Sequence, residues 1–294
     1  MHCLNFYLTF AFFISILKVN IINKIFCSGK VIEIFKRDFS DKYTVVNGDE
    51  FSGYPLMTTR ICLKDTAFVE ESLKGIKCPL GIFLDVYALD NAAADEKARA
   101  KQAFGAWLFS KLLILKHIPF PVLPFYGIKR KLAHCVTAGI WAFLNVFCIS
   151  HKWLYNKCKS ISCKYNGEDT GIYAYFCDTD RFSCMFERND LFPLREEKFE
   201  DTVMLFPREL EKSLTFLFGD YMQLPPPERR KNHFPYILKF SNEDIVNRLI
   251  NIAKQEKISI SNDALLEIAR LSDGGLRDAI NMLDQLSSFK NDKL

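Results

Sequence analysis

Asp85 stands inside a short apolar run, Ile82 to Tyr87. A carboxylate in such a strand is expensive to bury unless it is paired, hydrogen-bonded or holding a metal ion. Its ordinary alternative is an Asp at a strand edge, facing water. Asp90 closes the run, where an Asp often forms a turn. Arg60 and Lys64 lie upstream, separated by Ile61, Cys62 and Leu63. In a strand these two cations share a face, because side chains repeat every two residues. Cations so placed suit a phosphate group, or a solvated strand face. Glu70 and Glu71 are given no chemistry. A second basic segment, Glu228 to Lys231 with His233, follows Pro225 to Pro227 and is able to face an anion. Arg277 sits in a GGLRDA run near the end of the chain.

The chain has 10 Cys, which invites a metal or disulfide reading, but no CxxC pair occurs. The closest pairs, Cys158 with Cys163 and Cys177 with Cys184, lack the spacing of a zinc ribbon or finger. Buried free thiols in a reducing compartment fit the pattern better.

Elements must position these residues. A chain of 294 residues with 49% hydrophobic content can hold one large or two modest folded domains. Its formal net charge of +4 makes no case for nucleic-acid binding across the whole chain. Residues 1 to 30 form an apolar leader in which Leu4 to Leu17 is uncharged, yet shorter than a membrane span. It is read as a signal-anchor, a buried element or sequence foreign to the domain; the localisation expected is cytoplasmic, with membrane association through residues 4–17. Ile82 to Tyr87 predicts a strand. Asn91 to Ala103 predicts a helix. Phe104 to Phe125 and Leu132 to Ile149 predict core or membrane-surface helices, with Lys129, Arg130 and Lys131 between them. His151 to Tyr165 predicts a basic helix, and Gly171 to Phe176 a strand. Leu191 to Leu194 and Thr202 to Phe206 predict a hairpin around charged Arg195 to Asp201. Pro207 then suits a first helical turn. Leu210, Leu214, Leu217 and Phe218 make its apolar face, and Gly219 can end it.

The string FPLRE, a charged turn, FP before a helix and then GDYMQLPPPERRKNHFP resembles the C-terminal signature of the LicD family, the phosphocholine transferases of bacterial surface glycans. The runs DKYTVVNGDEFSGYPLMTTRICLKDTAFVEESLKG and GIFLDVYALDN extend the resemblance over about residues 31–240. It implies an α+β domain related to the polymerase-β-like nucleotidyltransferases, with a helical insertion. It also implies a CDP-choline donor, a glycan acceptor and Mg2+, with Asp85 as the third metal-holding, catalytic carboxylate and Arg60 and Lys64 on the phosphates. The family's glycine-rich turn, arginine-histidine pair and aspartate run are absent from residues 1–60, where Asp38, Asp41 and Asp49 stand apart. Without those carboxylates, little metal-assisted transfer is expected.

From Ser241 the character changes. Three amphipathic helices are predicted: Asn242 to Glu256, a second capped by Asn262 or Asp263, and Leu276 to Leu286, with Gly274 and Gly275 breaking the second. The carrying residues IARLSDGGLRDAINMLDQL resemble the helical lid of the gamma/tau subunit of bacterial DNA polymerase III, a clamp-loader ATPase of the AAA+ class. The resemblance implies a nucleotide-sensing role for Arg277 and replication clamp-loader subunits as partners of residues 241–294. No Walker A loop occurs in the 294 residues, so Arg277 is expected to be a solvated or capping arginine.

Overall fold

The computed structural model describes residues 28–123, 125–199, 202–223 and 235–291. The 4–17 stretch and the whole basic segment, Glu228 to Lys231 with His233, lie outside them. The fold is α+β, with a three-helix segment at its C-terminal end.

Helix α1 (Ser28–Asp38) lies against an antiparallel sheet of β1 (Tyr43–Val46), β2 (Thr59–Leu63) and β4 (Phe83–Val86), in the order β1-β2-β4. Alternation splits these strands cleanly. Val45, Ile61 and Val86 pack with Phe35 of α1. Val46 and Cys62 face the other way and pack with Tyr54, Leu73 and Leu80. The sheet is therefore apolar on both faces, and a polar side chain on either face needs a partner.

A second sheet, β5 (Asp90–Asn91), β6 (Ile172–Ala174) and β7 (Met185–Glu187), brackets the predicted helical insertion. The insertion contains α2 (Glu96–His117), α3 (Gly127–Val146) and α4 (His151–Ser162). Asp95 caps α2 by accepting from the Ala98 N–H at 2.8 Å, and Ser150 caps α4 through the Trp153 N–H at 3.1 Å. Small residues let α2 and α4 approach: Ala103 and Ala106 are fully buried beside Cys158. The buried Gln102 amide ties the pair to β5. Its Nε2 donates to the Asn91 and Ser162 carbonyls at 3.0 and 2.8 Å, and its Oε1 accepts from Ala93 N–H at 3.0 Å. Among the described residues no single helix is long and apolar enough to cross a membrane; residues 127–146 and 151–165 reach that length and hydropathy only as a pair bent by 109°.

The hairpin forms one step later than predicted. Its first strand is the charged stretch itself, β8 (Arg195–Phe199), paired with β9 (Thr202–Phe206) from Arg195↔Phe206 to Phe199↔Thr202. Leu191 ends a short helix, α5 (Arg188–Leu191), instead. The hairpin buries Met204 and Phe206 from β9 alone, so β8 needs no apolar residues. Arg195 meets Glu211 at 3.1 Å, and a charged edge strand resists pairing with other chains. Helix α6 (Leu210–Phe218) follows and ends at Gly219, whose φ of +67° favours glycine.

Strand β10 (Pro235–Lys239) pairs antiparallel with β3 (Ala67–Glu70), with an irregularity between Pro235 and Ile237. It leads into α7 (Asn242–Gln255), α8 (Asn262–Leu271) and α9 (Leu276–Asn291). Ser241 caps α7. Ser261, not Asn262 or Asp263, caps α8 by accepting from the Ala264 N–H at 3.3 Å. Ile245, Leu249, Leu265, Ile268, Ala269, Ala279 and Leu283 form the core of this bundle. Gly274, at φ +81°, accepts the Phe240 N–H at 3.0 Å. A Cβ there would lie 2.7 Å from the Lys239 Cβ. The composition change at residue 240 therefore marks no gap: β10 is paired to β3 and its end grips the α8–α9 turn.

Candidate functional site

The face of the first sheet opposite α1 carries one buried charge cluster. Antiparallel pairing sets Arg60 of β2 directly across from Asp85 of β4. The Arg60 Nε donates to Asp85 Oδ1 at 3.1 Å. Its Nη2 donates to Glu70 Oε2, from the end of β3, at 2.6 Å. Phe83, two residues before Asp85 and so on the same face, places its ring 3.7 Å from the guanidinium carbon. The Arg60 side chain is 4% exposed. Burial works against its charge, and the Asp85 and Glu70 carboxylates more than restore it, so the guanidinium stays firmly protonated. Its Nη1 is buried without a hydrogen-bond partner among the described residues. The fully buried Tyr54 phenol is pushed up chiefly by burial and remains neutral.

The sequence brings Arg60 and Asp85 together, but not as separate phosphate and metal groups: the arginine occupies the carboxylate. Glu70, assigned no chemistry from sequence, is the third member. Its signal was present in the strand-end position of Glu70, but the approach of β3 to Arg60 is not readable from spacing. Lys64 does not join them. It lies one residue past β2 and donates to the Ser40 carbonyl at 2.5 Å. Among the described residues no group of three His, Cys, Asp or Glu side chains could hold a metal ion. For Mg2+, Asp85 and Glu70 offer only two carboxylates, both already engaged by the Arg60 cation, and the described residues do not fit the ion. Asp90 accepts from Asn166 at 2.7 Å, a structural bond. Arg277 is exposed on the first turn of α9.

Two further clusters involve residues of the helical insertion. Buried Cys158 and half-buried Cys177 are free thiols with Sγ atoms 3.5 Å apart; the described cysteines are free as expected, but Cys135 and Cys148 are exposed rather than buried. His117 and His151 form a chain of neutral rings. Gly48 carbonyl can only accept, so His151 donates from Nε2 at 3.0 Å. His151 Nδ1 must then accept from His117 Nε2, also at 3.0 Å. Burial first, then His151 and Lys116, push the His117 pKa from 6.5 down to about 4. Burial lowers His151 too. The unfolded chain therefore takes up protons before the folded one as the pH falls. The stability held by these neutral rings is complete above pH 6.5 and drains as pH drops towards about 4. After allowance for the partly exposed His117 ring, the loss is about 2 kcal/mol. Chemical denaturation across that window should show the slope, and His117→Gln should flatten it.

Comparison with known proteins bears on the C-terminal helices. Residues 244–289 match the ATPase lid domain of the DNA polymerase III clamp loader subunit. Among curated proteins, the chain is 48% identical over 56 residues to the DNA polymerase III subunit gamma/tau of Mycoplasma genitalium, covering 19% of this chain and 9% of that protein. It is 40% identical over 58 residues to the subunit of the same name from Mycoplasma pneumoniae, covering 20% of this chain and 8% of that protein. The chain thus spans less than a tenth of the length of these relatives. No solved structure matches.

Proposed function

We propose that residues 241–294 act as a clamp-loader-lid module that binds other subunits of a replication clamp loader, without ATP chemistry of its own. The observation that carries this reading is the lid-domain match over residues 244–289, whose helices here close on a core of their own. Leu266, Leu271 and Leu286 remain exposed on that bundle and are available for contact. The full chain should co-purify with recombinant polymerase III clamp-loader subunits, and Leu266→Glu with Leu271→Glu should release them. Absence of any complex at micromolar concentrations sinks the reading.

A second reading concerns residues 31–240 and rests on the sequence resemblance, with the Arg60 cluster as its candidate phosphate site. A LicD-type domain would bind a CDP-linked donor such as CDP-choline, and a surface glycan would accept its phosphocholine. Arg60 holds Asp85 at Nε and Glu70 at Nη2, and keeps one uncommitted N–H donor set at Nη1 among the described residues. This is the environment of a phosphate-reading arginine that a ligand could draw away from its partners. Because Asp85 is paired with Arg60, the domain on this reading binds the donor without transferring its phosphocholine. Calorimetry of the full chain with CDP-choline, with and without Mg2+, tests it. A flat titration rejects donor binding, and Mg2+-dependent release of CMP rejects the inactive state.

A further inference from the structure

Between Glu96 and Glu168 the chain contains no Asp or Glu and twelve Lys and Arg. The whole chain, by contrast, has 39 bases and 35 acids, so its small net charge conceals a cationic block beside a net acidic remainder. That block is the helical insertion, α2 to α4. It also holds the largest collection of exposed apolar side chains among the described residues.

Helix α3 concentrates both properties. At 3.6 residues per turn, Ile128, Leu132, Val136, Gly139, Phe143 and Val146 fall within an arc of about 100°. All six are exposed, Ile128 by 77% and Val146 by 76%. The adjoining arc, with Ile140 and Leu144, faces α2 and α4 and supplies the packing. So the helix carries one broad apolar face, of which only one edge is packed, and the other is left exposed among the described residues. The loop before α3 adds exposed Phe120, Val122 and Tyr126. An apolar recess of about 510 Å³ opens between the three helices, and Val136, Phe143 and Trp153 line it.

The bases are placed to match. Lys129 and Lys131 fall on the two flanks of the outer arc, where long side chains can lie beside apolar surface with their charges outward. Local stability gives no reason for them. Lys129 and Arg130 stand in the first turn and Lys131 directly after it, the first turn has no acidic residue, and a helix N-terminus disfavours positive charge. Self-association gives no reason either, since a second copy would set cationic block against cationic block. A nucleic acid would want the bases at the centre of the face and the aliphatic residues elsewhere. An aliphatic stripe edged by cations is the arrangement of a helix lying in the surface of an anionic bilayer.

We infer that the outer face of α3, with the loop before it, is a docking surface for an anionic lipid bilayer, on which this chain sits as a peripheral protein without spanning it. The inference is independent of either reading of function and of the apolar stretch at residues 4–17.

The test uses the full chain with vesicles of phosphatidylcholine, alone or doped with phosphatidylglycerol. All three Trp, at 107, 141 and 153, lie in the cationic block, so their emission reports on it directly. The doped vesicles should sediment the chain and shift Trp emission to the blue, and high salt should release it. Lys129→Gln, Arg130→Gln and Lys131→Gln together should weaken partitioning about a hundredfold. Leu132→Glu with Val136→Glu, both exposed and so compatible with folding, should abolish the blue shift. Failure to bind doped vesicles overturns the proposal. So does binding that survives both sets of substitutions, because those variants keep residues 4–17. Retention of an oligonucleotide instead of vesicles, unaffected by Leu132→Glu and Val136→Glu, would show the face to be a nucleic-acid surface and overturn it equally.

Discussion

Arg60→Met should lower the stability of the β-sheet region by about 3–5 kcal/mol, because it removes the cation from between two partly buried carboxylates. Arg60 is 4% exposed, and its partners Glu70 and Asp85 are 14% and 21% exposed. Solvent therefore cannot screen the change as it would on a surface. Methionine fills a similar volume and preserves contact with Phe83, so most of the loss belongs to the carboxylates. That assignment is checked by adding Glu70→Gln and Asp85→Asn, which should return most of the stability. Urea denaturation of the single and triple variants gives both numbers. A single-variant effect under about 1 kcal/mol would mean that the cluster behaves like an exposed ion pair. It would also remove the basis for treating Arg60 as a poised phosphate ligand.

Leu249→Ala should destabilise the C-terminal bundle by about 3 kcal/mol. Leu249 is fully buried at the centre of α7, against Leu265, Ile268 and Leu283. A bundle of about 50 residues buries a small fraction of its surface, so that loss is comparable with all the stability it can have. The outcome should be regional. Because every Trp lies in α2 to α4 or at their ends, Trp fluorescence follows the body alone, while far-UV circular dichroism also follows α7 to α9. The variant should lose helical signal early and leave the Trp transition nearly in place. Coincident shifts in both signals would show that the bundle and the sheet unfold as one unit.

The long helices and the bundle were legible because their periodicity and caps are local properties. Leu210 to Gly219 and the three C-terminal helices follow from apolar spacing and glycine alone. Strand β4 was legible from its short apolar run, while β2 was legible only as a possible strand and its pairing with β4 not at all. What spacing could not convey is partnership. Arg60 and Lys64 stand at the right interval to share a face, yet the strand ends before Lys64, and Ser40 holds it. Charged Arg195 to Lys198 read as a turn because a strand is expected to show apolar alternation. As an edge strand with only its neighbour buried, β8 shows none. Glu70 was passed over because its importance comes from the fold bringing β3 to Arg60, not from its neighbours in sequence. Conversely, the outward stripe of α3 was visible as hydrophobicity but not as exposure, since a helix with so broad an apolar face reads like a buried one.

Strand β10 joins the sheet region to the bundle through main-chain hydrogen bonds, with Tyr236, Ile237 and Leu238 exposed. Pairing of this kind asks little of side-chain identity. A seam made in this way is permissive to heredity: segments of separate ancestry can be spliced across it without matched surfaces having to arise first. Selection would then act on the few fixed points, Gly274 beneath Lys239 and the Phe240 N–H, while the residues between them drift.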